Sequence, residues 1–140
     1  MNGCERLSLK ISVDDARDYF AHPSQQKAAS ITPETLPEGD GYQYWAVDGV
    51  CGVFHRAPWP DVWMAHYGVT PAAWGKTRKP ASQILHAFWE AEAPELIIGW
   101  TLESNRAALA FAKRIGFRVH GEMNLPSGKV IEQSWRISWQ

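Results

Sequence analysis

A basic turn in the middle of the chain is the first segment whose residue types could do chemistry. Residues 70–83 read TPAAWGKTRKPASQ, and in this run Lys76, Arg78 and Lys79 follow Gly75 just before a predicted helix. Positive side chains and the free N–H groups at the start of a helix both attract anions, phosphate groups above all. A solvated basic turn that binds nothing specific explains the same residues equally well.

The five histidines are the other candidates, because imidazole titrates near neutral pH and can accept or release a proton. His66 lies in an apolar segment predicted to be a strand, where a packing role is the more common one. The other four have no partner that the sequence identifies: His22, His55, His86 and His120. Cys4 and Cys51 show neither CxxC spacing nor paired histidines, so we expect free thiols and no metal site.

Length and composition predict a single globular domain over residues 1–140. Hydrophobic residues make up 45% of the chain and charged residues 21%, which is enough apolar material for a core. Eight tryptophans can each bury on the order of 200 Å², so several are expected to anchor that core, line a groove or mark a partner surface. A net charge of −1 argues against a general nucleic-acid or acidic-membrane binder. No segment resembles a signal peptide or a membrane span, so we expect a cytoplasmic protein.

Hydrophobic patterns predict a strand and two helical stretches in the first 41 residues. Residues 7–13 alternate apolar and polar side chains, which is typical of a half-buried strand. Asp14 or Asp15 is expected to cap a helix, and residues 23–30 form a second helical stretch. The polar and proline-rich residues 31–41 are predicted to be a loop.

Three short apolar segments then predict an antiparallel meander with strands at residues 42–47, 50–56 and 61–69. Asp48-Gly49 lies between the first two strands and favours a two-residue hairpin turn, since both positions tolerate positive φ. Patterns further along predict the remaining elements: a helix at 80–93, a strand at 95–102, a helix capped by Ser104 and closed by Gly116, and strands at 117–123 and 130–139.

The segment NRAALAFAKRIGF, residues 105–117, is the most specific motif in the chain. Asn105 opens the predicted helix, Ala108 follows three residues later, and the helix closes in the residues RIGF. In this motif and in the order of its elements, the chain resembles the GNAT superfamily of acyl-CoA-dependent N-acyltransferases. The resemblance is good from about Val50 onward and rests on element order alone over the first 40 residues. It implies an α/β fold of the α+β type, with a mixed, mostly antiparallel sheet of about seven strands and about four helices.

The resemblance also implies where an acyl-CoA cofactor binds. In the family, two neighbouring strands splay apart and the pantetheine arm of acetyl-CoA lies between them; here these strands are residues 61–69 and 96–103. The backbone of Val69 and Thr70 then faces the thioester. The remaining implied cofactor contacts are Gly75, Lys76, Thr77, Arg78, Lys79 and Asn105. Only Gly75 matches the family's two spaced glycines in the phosphate loop, so the positive side chains have to compensate.

A general base that deprotonates the acceptor amine is also implied, and His66 and Glu103 are the expected candidates. The family often places a tyrosine seven residues after the motif's asparagine, where its hydroxyl protonates the departing thiolate. Here that position is Ala112. Protonation must therefore come from water or another side chain, although general acid catalysis typically contributes about 10² to 10⁴-fold.

Two functions are compatible with the sequence. The first is an acetyl-CoA-dependent N-acetyltransferase acting on a primary amine of a small molecule or a protein, with no metal, nucleic acid or membrane as a partner. The second is a catalytically silent binding or assembly protein, because the TPAAWGK loop resembles that of small GNAT-like proteins of tailed bacteriophages, some of which are virion components. Trp135 and Trp139 near the end of the chain could pack on the core or on a second copy in a homodimer.

Overall fold

A seven-stranded sheet crosses the centre of the protein, for which a computed structural model describes residues 9–23 and 33–140. Its strands are β1 Lys10–Ile11, β2 Tyr42–Val47, β3 Val50–Arg56, β4 Val62–Val69, β5 Leu96–Leu102, β6 Arg118–Leu125 and β7 Gly128–Trp135. Their order in the sheet is β1-β2-β3-β4-β5-β7-β6. Only β4 and β5 run parallel, and every other neighbouring pair is antiparallel. The predicted mixed, mostly antiparallel sheet is therefore confirmed.

Three α-helices lie within the described residues: α1 Val13–Ala16, α2 Arg78–Glu92 and α3 Arg106–Arg114. Beyond Pro23, the helical stretch predicted at residues 23–30 lies outside the described residues. Short 3₁₀ turns occur at Arg17–Phe20, Pro33–Thr35, Pro71–Ala73 and Ile137–Trp139. No helix in residues 9–23 and 33–140 is long and apolar enough to cross a membrane.

The start of the chain differs from its prediction. Within the described part of residues 7–13, only Lys10–Ile11 is a strand, because the first helix begins earlier than expected. Its cap is Ser12, whose hydroxyl accepts the Asp15 N–H at 3.1 Å, so the prediction of an aspartate cap is wrong. A serine oxygen in extended backbone satisfies a free helix amide, and the aspartates then occupy the first turn.

Several later boundaries also differ, two of them for a clear physical reason. Asn105, not Ser104, caps α3, since its side chain accepts the Ala108 N–H at 3.2 Å. The last strand ends at Trp135 instead of continuing to residue 139, because the chain turns and the Trp139 ring packs under the Arg118 guanidinium at 4.4 Å. The predicted bounds of β2 and β3 are confirmed.

Aromatic rings fix α2 on one face of the sheet, which we call the helical face. The Phe88 ring stacks on Phe54 with centroids 3.9 Å apart, and Trp45 and Trp63 pack edge-on against the same ring. The prediction that tryptophans anchor the core is thus confirmed for part of the set. On the opposite face, here the N-terminal face, Phe20 packs where a side chain on Gly68 would otherwise lie.

Candidate functional site

The parallel strands β4 and β5 pair over three residues and then separate. Residues 62–64 pair with residues 96–98, after which β4 stays paired with β3 and β5 with β7. Residues 65–69 and 99–102 therefore line a wedge between two strand edges, which we call the splay. The predicted adjacency of the two strands is confirmed.

Backbone groups of β4 point into the splay at alternate residues. The Thr70 N–H donates to the Gly49 carbonyl at 2.9 Å, in the register that pairs Val50 with Val69. Since successive residues of an antiparallel strand direct their groups to opposite sides, Tyr67 and Val69 direct theirs away from β3 and toward the splay. The Thr70 hydroxyl also donates to Gly49, at 3.3 Å, so both Thr70 donors are directed at the hairpin turn.

Residues 75–79, the basic turn, lead from β4 into α2. Gly75 has a φ of +81°, a conformation that favours glycine. Four backbone N–H groups of the turn have no acceptor among the described residues: those of Gly75, Thr77, Arg78 and Lys79. The Lys76 N–H instead donates to Ala73 at 2.9 Å. Unpaired amides at the start of a helix bind anions, and positive side chains surround them here.

A surface depression adjoins the basic turn. Its volume is about 430 Å³, and its lining runs along the outer side of α2: Arg78, Lys79, Ser82, Gln83 and His86. Asn105 lies at the start of α3, where its Oδ1 caps the helix and leaves the Nδ2 group as the remaining donor.

Two histidines form a hydrogen-bonded pair on the N-terminal face. His55 Nε2 lies 3.0 Å from His66 Nε2, and the rings are nearly parallel. His55 Nδ1 lies 3.3 Å from the Arg56 carbonyl, an acceptor, so that nitrogen carries the hydrogen. His55 Nε2 is then an acceptor, His66 Nε2 a donor, and His66 Nδ1 a lone pair without a partner among the described residues.

The protonation of His66 is shifted by its surroundings. Burial and, secondarily, His55 lower the pKa of His66 from 6.5 to about 4. Its ring is therefore neutral at physiological pH. Sequence alone suggested His66 as a candidate but could not identify His55 as its partner, because the pairing depends on the register of β3 against β4.

Glu103 lies apart from this pair. It follows the last residue of β5, and its carboxylate is 3.9 Å from Lys129 Nζ in an exposed ion pair. The described residues show no contact between Glu103 and His66. The two residues suggested as bases are thus not brought together.

A polar cluster that sequence reasoning missed lies across the splay from His66. Trp100 donates its indole N–H to Glu132, which also contacts His120 Nε2, and His120 Nδ1 lies 2.6 Å from Ser134 Oγ. The Trp100 hydrogen bond lowers the pKa of Glu132, and His120 adds to this effect, so the carboxylate stays charged.

A β-bulge between Val119 and Gly121 changes the direction of the His120 side chain. Sequence reasoning could not find this cluster. Alternation along β5 and β7 places Trp100 and Glu132 on one face only when the register of the two strands is known.

The buried thiol of Cys51 contributes no reactivity at this site. Burial raises the pKa of Cys51 to about 12, so its thiol stays protonated. Cys4 lies outside the described residues. Within residues 9–23 and 33–140, no three potential metal ligands converge.

Comparisons with known proteins bear on the fold. No protein-family model and no curated protein sequence matches the chain. Solved structures do match. Ribosomal-protein-S5-alanine acetyltransferase from Vibrio fischeri superposes with a TM-score of 0.68 over 94% of this chain and 93% of that one, at 16% identity.

Two further acetyltransferases superpose in the same way. A GNAT-family acetyltransferase from Bacillus anthracis has a TM-score of 0.65 over 85% of each chain, at 14% identity. AAC(6')-Ib, solved in complex with paromomycin and acetyl-CoA, has a TM-score of 0.68 over 92% of each chain, at 12% identity. The sheet order, the splay and these superpositions together show that the chain has the fold of the GNAT acetyltransferases.

Proposed function

We propose that the chain is an N-acetyltransferase that moves an acetyl group from acetyl-CoA to a primary amine. The observation that supports this most is the splay, because an extended acyl-pantetheine arm fits between two strand edges that direct backbone groups at the gap. The shared fold points the same way, and two structures with that fold, AAC(6')-Ib and the putative acetyltransferase yncA of Salmonella typhimurium, were solved with acetyl-CoA.

In this proposal, the basic turn holds the phosphates of the cofactor. The unpaired amides of Gly75, Thr77, Arg78 and Lys79 supply neutral donors, and the side chains of Lys76, Arg78 and Lys79 supply charge. The depression beside Arg78 accommodates the rest of the nucleotide. Val69 meets the pantetheine arm through its backbone, and Asn105 offers its Nδ2 group. Thr70 supports this wall by fixing the hairpin turn.

His66 acts as the general base through its free Nδ1. As the amine nitrogen bonds to the acetyl carbon and the carbon–sulfur bond breaks, Nδ1 accepts the ammonium proton. Since the pKa of His66 is about 4, the ring passes its Nε2 hydrogen on to His55 Nε2, 3.0 Å away. From His55 the proton passes to solvent. Glu103 is the second candidate base, and its ion pair with Lys129 must open first.

The acceptor is a small amine that carries further positive charge. Glu132 is anionic and partly exposed, and the Trp100 ring beside it is 49% exposed. A carboxylate next to an open indole face binds a cationic amine through charge and cation–π attraction. Neighbours with this fold include a spermidine N-acetyltransferase from Vibrio cholerae and an aminoglycoside acetyltransferase, both named for such acceptors.

A thiol-release assay tests the proposal. The purified chain is incubated with acetyl-CoA and a panel of primary amines that includes spermidine, an aminoglycoside and a peptide with N-terminal alanine. We expect amine-dependent release of CoA. His66→Ala should lose rate without losing affinity for acetyl-CoA, and Glu103→Ala should keep the rate. The reverse result would assign the base to Glu103, and no release with any amine would reject transfer.

A catalytically silent binding or assembly protein is the second candidate. The observation that favours it is the exposure of two tryptophans, Trp59 at 72% and Trp74 at 51%, which suit a protein partner. A role in a phage particle, expected from the loop sequence, belongs to this candidate.

A further inference from the structure

A buried hydroxyl on β4 has no hydrogen-bond partner. Tyr67 Oη is inaccessible to solvent and bonds to no described residue. Native proteins rarely leave a buried donor unsatisfied, because the lost hydration is not replaced. Such a buried group needs an explanation, and a ligand that supplies the missing acceptor is one.

Tyr67 lies beside the splay and packs against α3. Tyr67 belongs to the part of β4 that has left β5, and its ring packs edge-on against Phe111 of α3 with centroids 5.6 Å apart. Ala112, the next residue, packs against the same part of the core. Across the splay is Gly99, where a β-carbon would lie 3.8 Å from the Ala65 carbonyl oxygen and 3.9 Å from Phe117. No side chain at residue 99 therefore fills the start of the splay, where β5 separates from Ala65 of β4.

We propose that Tyr67 Oη donates a hydrogen bond to the sulfur of the acetyl thioester as it becomes the leaving group. This role rests on the proposed function and replaces the hydroxyl that Ala112 cannot provide. The amine nitrogen bonds to the acetyl carbon, the carbon–sulfur bond breaks, and its electron pair moves to sulfur. Successive residues of β4 lie on opposite faces of the sheet, so His66 takes the ammonium proton on the N-terminal face and Tyr67 stabilises the thiolate on the helical face. The thiolate takes a proton from solvent after release.

The state of the hydroxyl suits a donor that keeps its proton. Burial raises the pKa of Tyr67 above its ordinary value, so the phenol stays neutral at every working pH. A neutral donor aimed at developing negative charge, in a site without water, stabilises the transition state more than the substrate. The same hydroxyl is unpaired before the cofactor binds, so it destabilises the free protein.

Tyr67→Phe separates this role from a structural one. We expect kcat to fall on the order of 10²-fold with KM for acetyl-CoA little changed, as for loss of one transition-state donor. The melting temperature of the free protein should rise by a few degrees, because an unsatisfied buried hydroxyl is removed. A tyrosine that merely packs would change neither quantity in these directions.

Tyr44→Phe is the matched control. The Tyr44 hydroxyl donates to the Pro37 carbonyl, away from the splay, so its removal should lower the melting temperature and leave kcat unchanged. A wild-type kcat in Tyr67→Phe would overturn the donor role while leaving the proposed function intact. A lowered melting temperature in Tyr67→Phe would overturn the premise of an unpaired hydroxyl. If the wild type releases no CoA with any amine, the proposed function fails and this role fails with it.

Discussion

His66 makes the stability of the protein depend on pH. Its pKa is about 4 in the folded protein, against 6.5 when unperturbed, because the ring is buried beside His55. The unfolded chain therefore binds a proton more readily. The stability that this residue contributes is fully present above pH 6.5 and is lost as the pH falls toward 4. At pH 5 the expected loss is about 2 kcal/mol.

Urea unfolding at pH 7 and at pH 5 measures this loss. His66→Gln should remove most of the difference between the two pH values, since an amide does not titrate. His86→Gln, at an exposed position on α2, should preserve the difference. An equal pH dependence in the wild type and His66→Gln would contradict the buried, neutral state of His66.

Gly116 provides a second residue-scale prediction. Its φ is +106°, and a β-carbon there would meet the end of the Gln140 side chain, which can move away. Backbone strain therefore dominates, and Gly116→Ala should lower the free energy of unfolding by about 1 kcal/mol. Gly41→Ala, where no positive φ or contact opposes the methyl group, should leave the urea midpoint nearly unchanged. Equal midpoints for both variants would reject a strained turn after α3.

At the scale of elements, the splay is the feature that positions the chemistry. A β-carbon at Gly99 makes only ordinary contacts, so Gly99→Ala should fold and bind acetyl-CoA nearly as the wild type does. Gly99→Leu adds three carbons beyond that β-carbon, which lies 3.8 Å from the Ala65 carbonyl oxygen, and should therefore narrow the wedge between residues 65–69 and 99–102. We expect at least a tenfold loss of acetyl-CoA affinity by isothermal titration, about 1.4 kcal/mol. Unchanged affinity in a folded Gly99→Leu would exclude cofactor insertion at the splay.

Local patterns predicted most elements, because the determinants of those elements are local. Asp48 and Gly49 both adopt positive φ in the hairpin turn, as their sequence indicates. The prediction of an aspartate cap for α1 was wrong because Ser12 competes with two neighbouring aspartates for the cap position. Patterns could not reveal the His55–His66 pair, the Glu132–His120 contact or the unpaired Tyr67 hydroxyl. Each of these depends on strand register, on a bulge or on the separation of β4 from β5.

The charge of the whole molecule does not attract an anionic cofactor, so the attraction has to come from a local group of residues. A net charge of −1 gives no long-range field, so binding depends on the basic turn and its unpaired amides. Lys76, Arg78 and Lys79 are exposed and contribute little to folding. Their combined replacement by alanine therefore tests the cofactor site without unfolding the protein.

A thermal-shift titration with acetyl-CoA tests whether the protein binds this cofactor through the basic turn. If Kd is about 10 μM, a cofactor concentration of about 1 mM stabilises the wild type by about 2.7 kcal/mol and raises its melting temperature by several degrees. The triple variant Lys76→Ala, Arg78→Ala and Lys79→Ala should melt at the wild-type temperature without cofactor and show no shift with it. A wild-type melting temperature that does not change at millimolar acetyl-CoA would rule out acetyl-CoA as the cofactor.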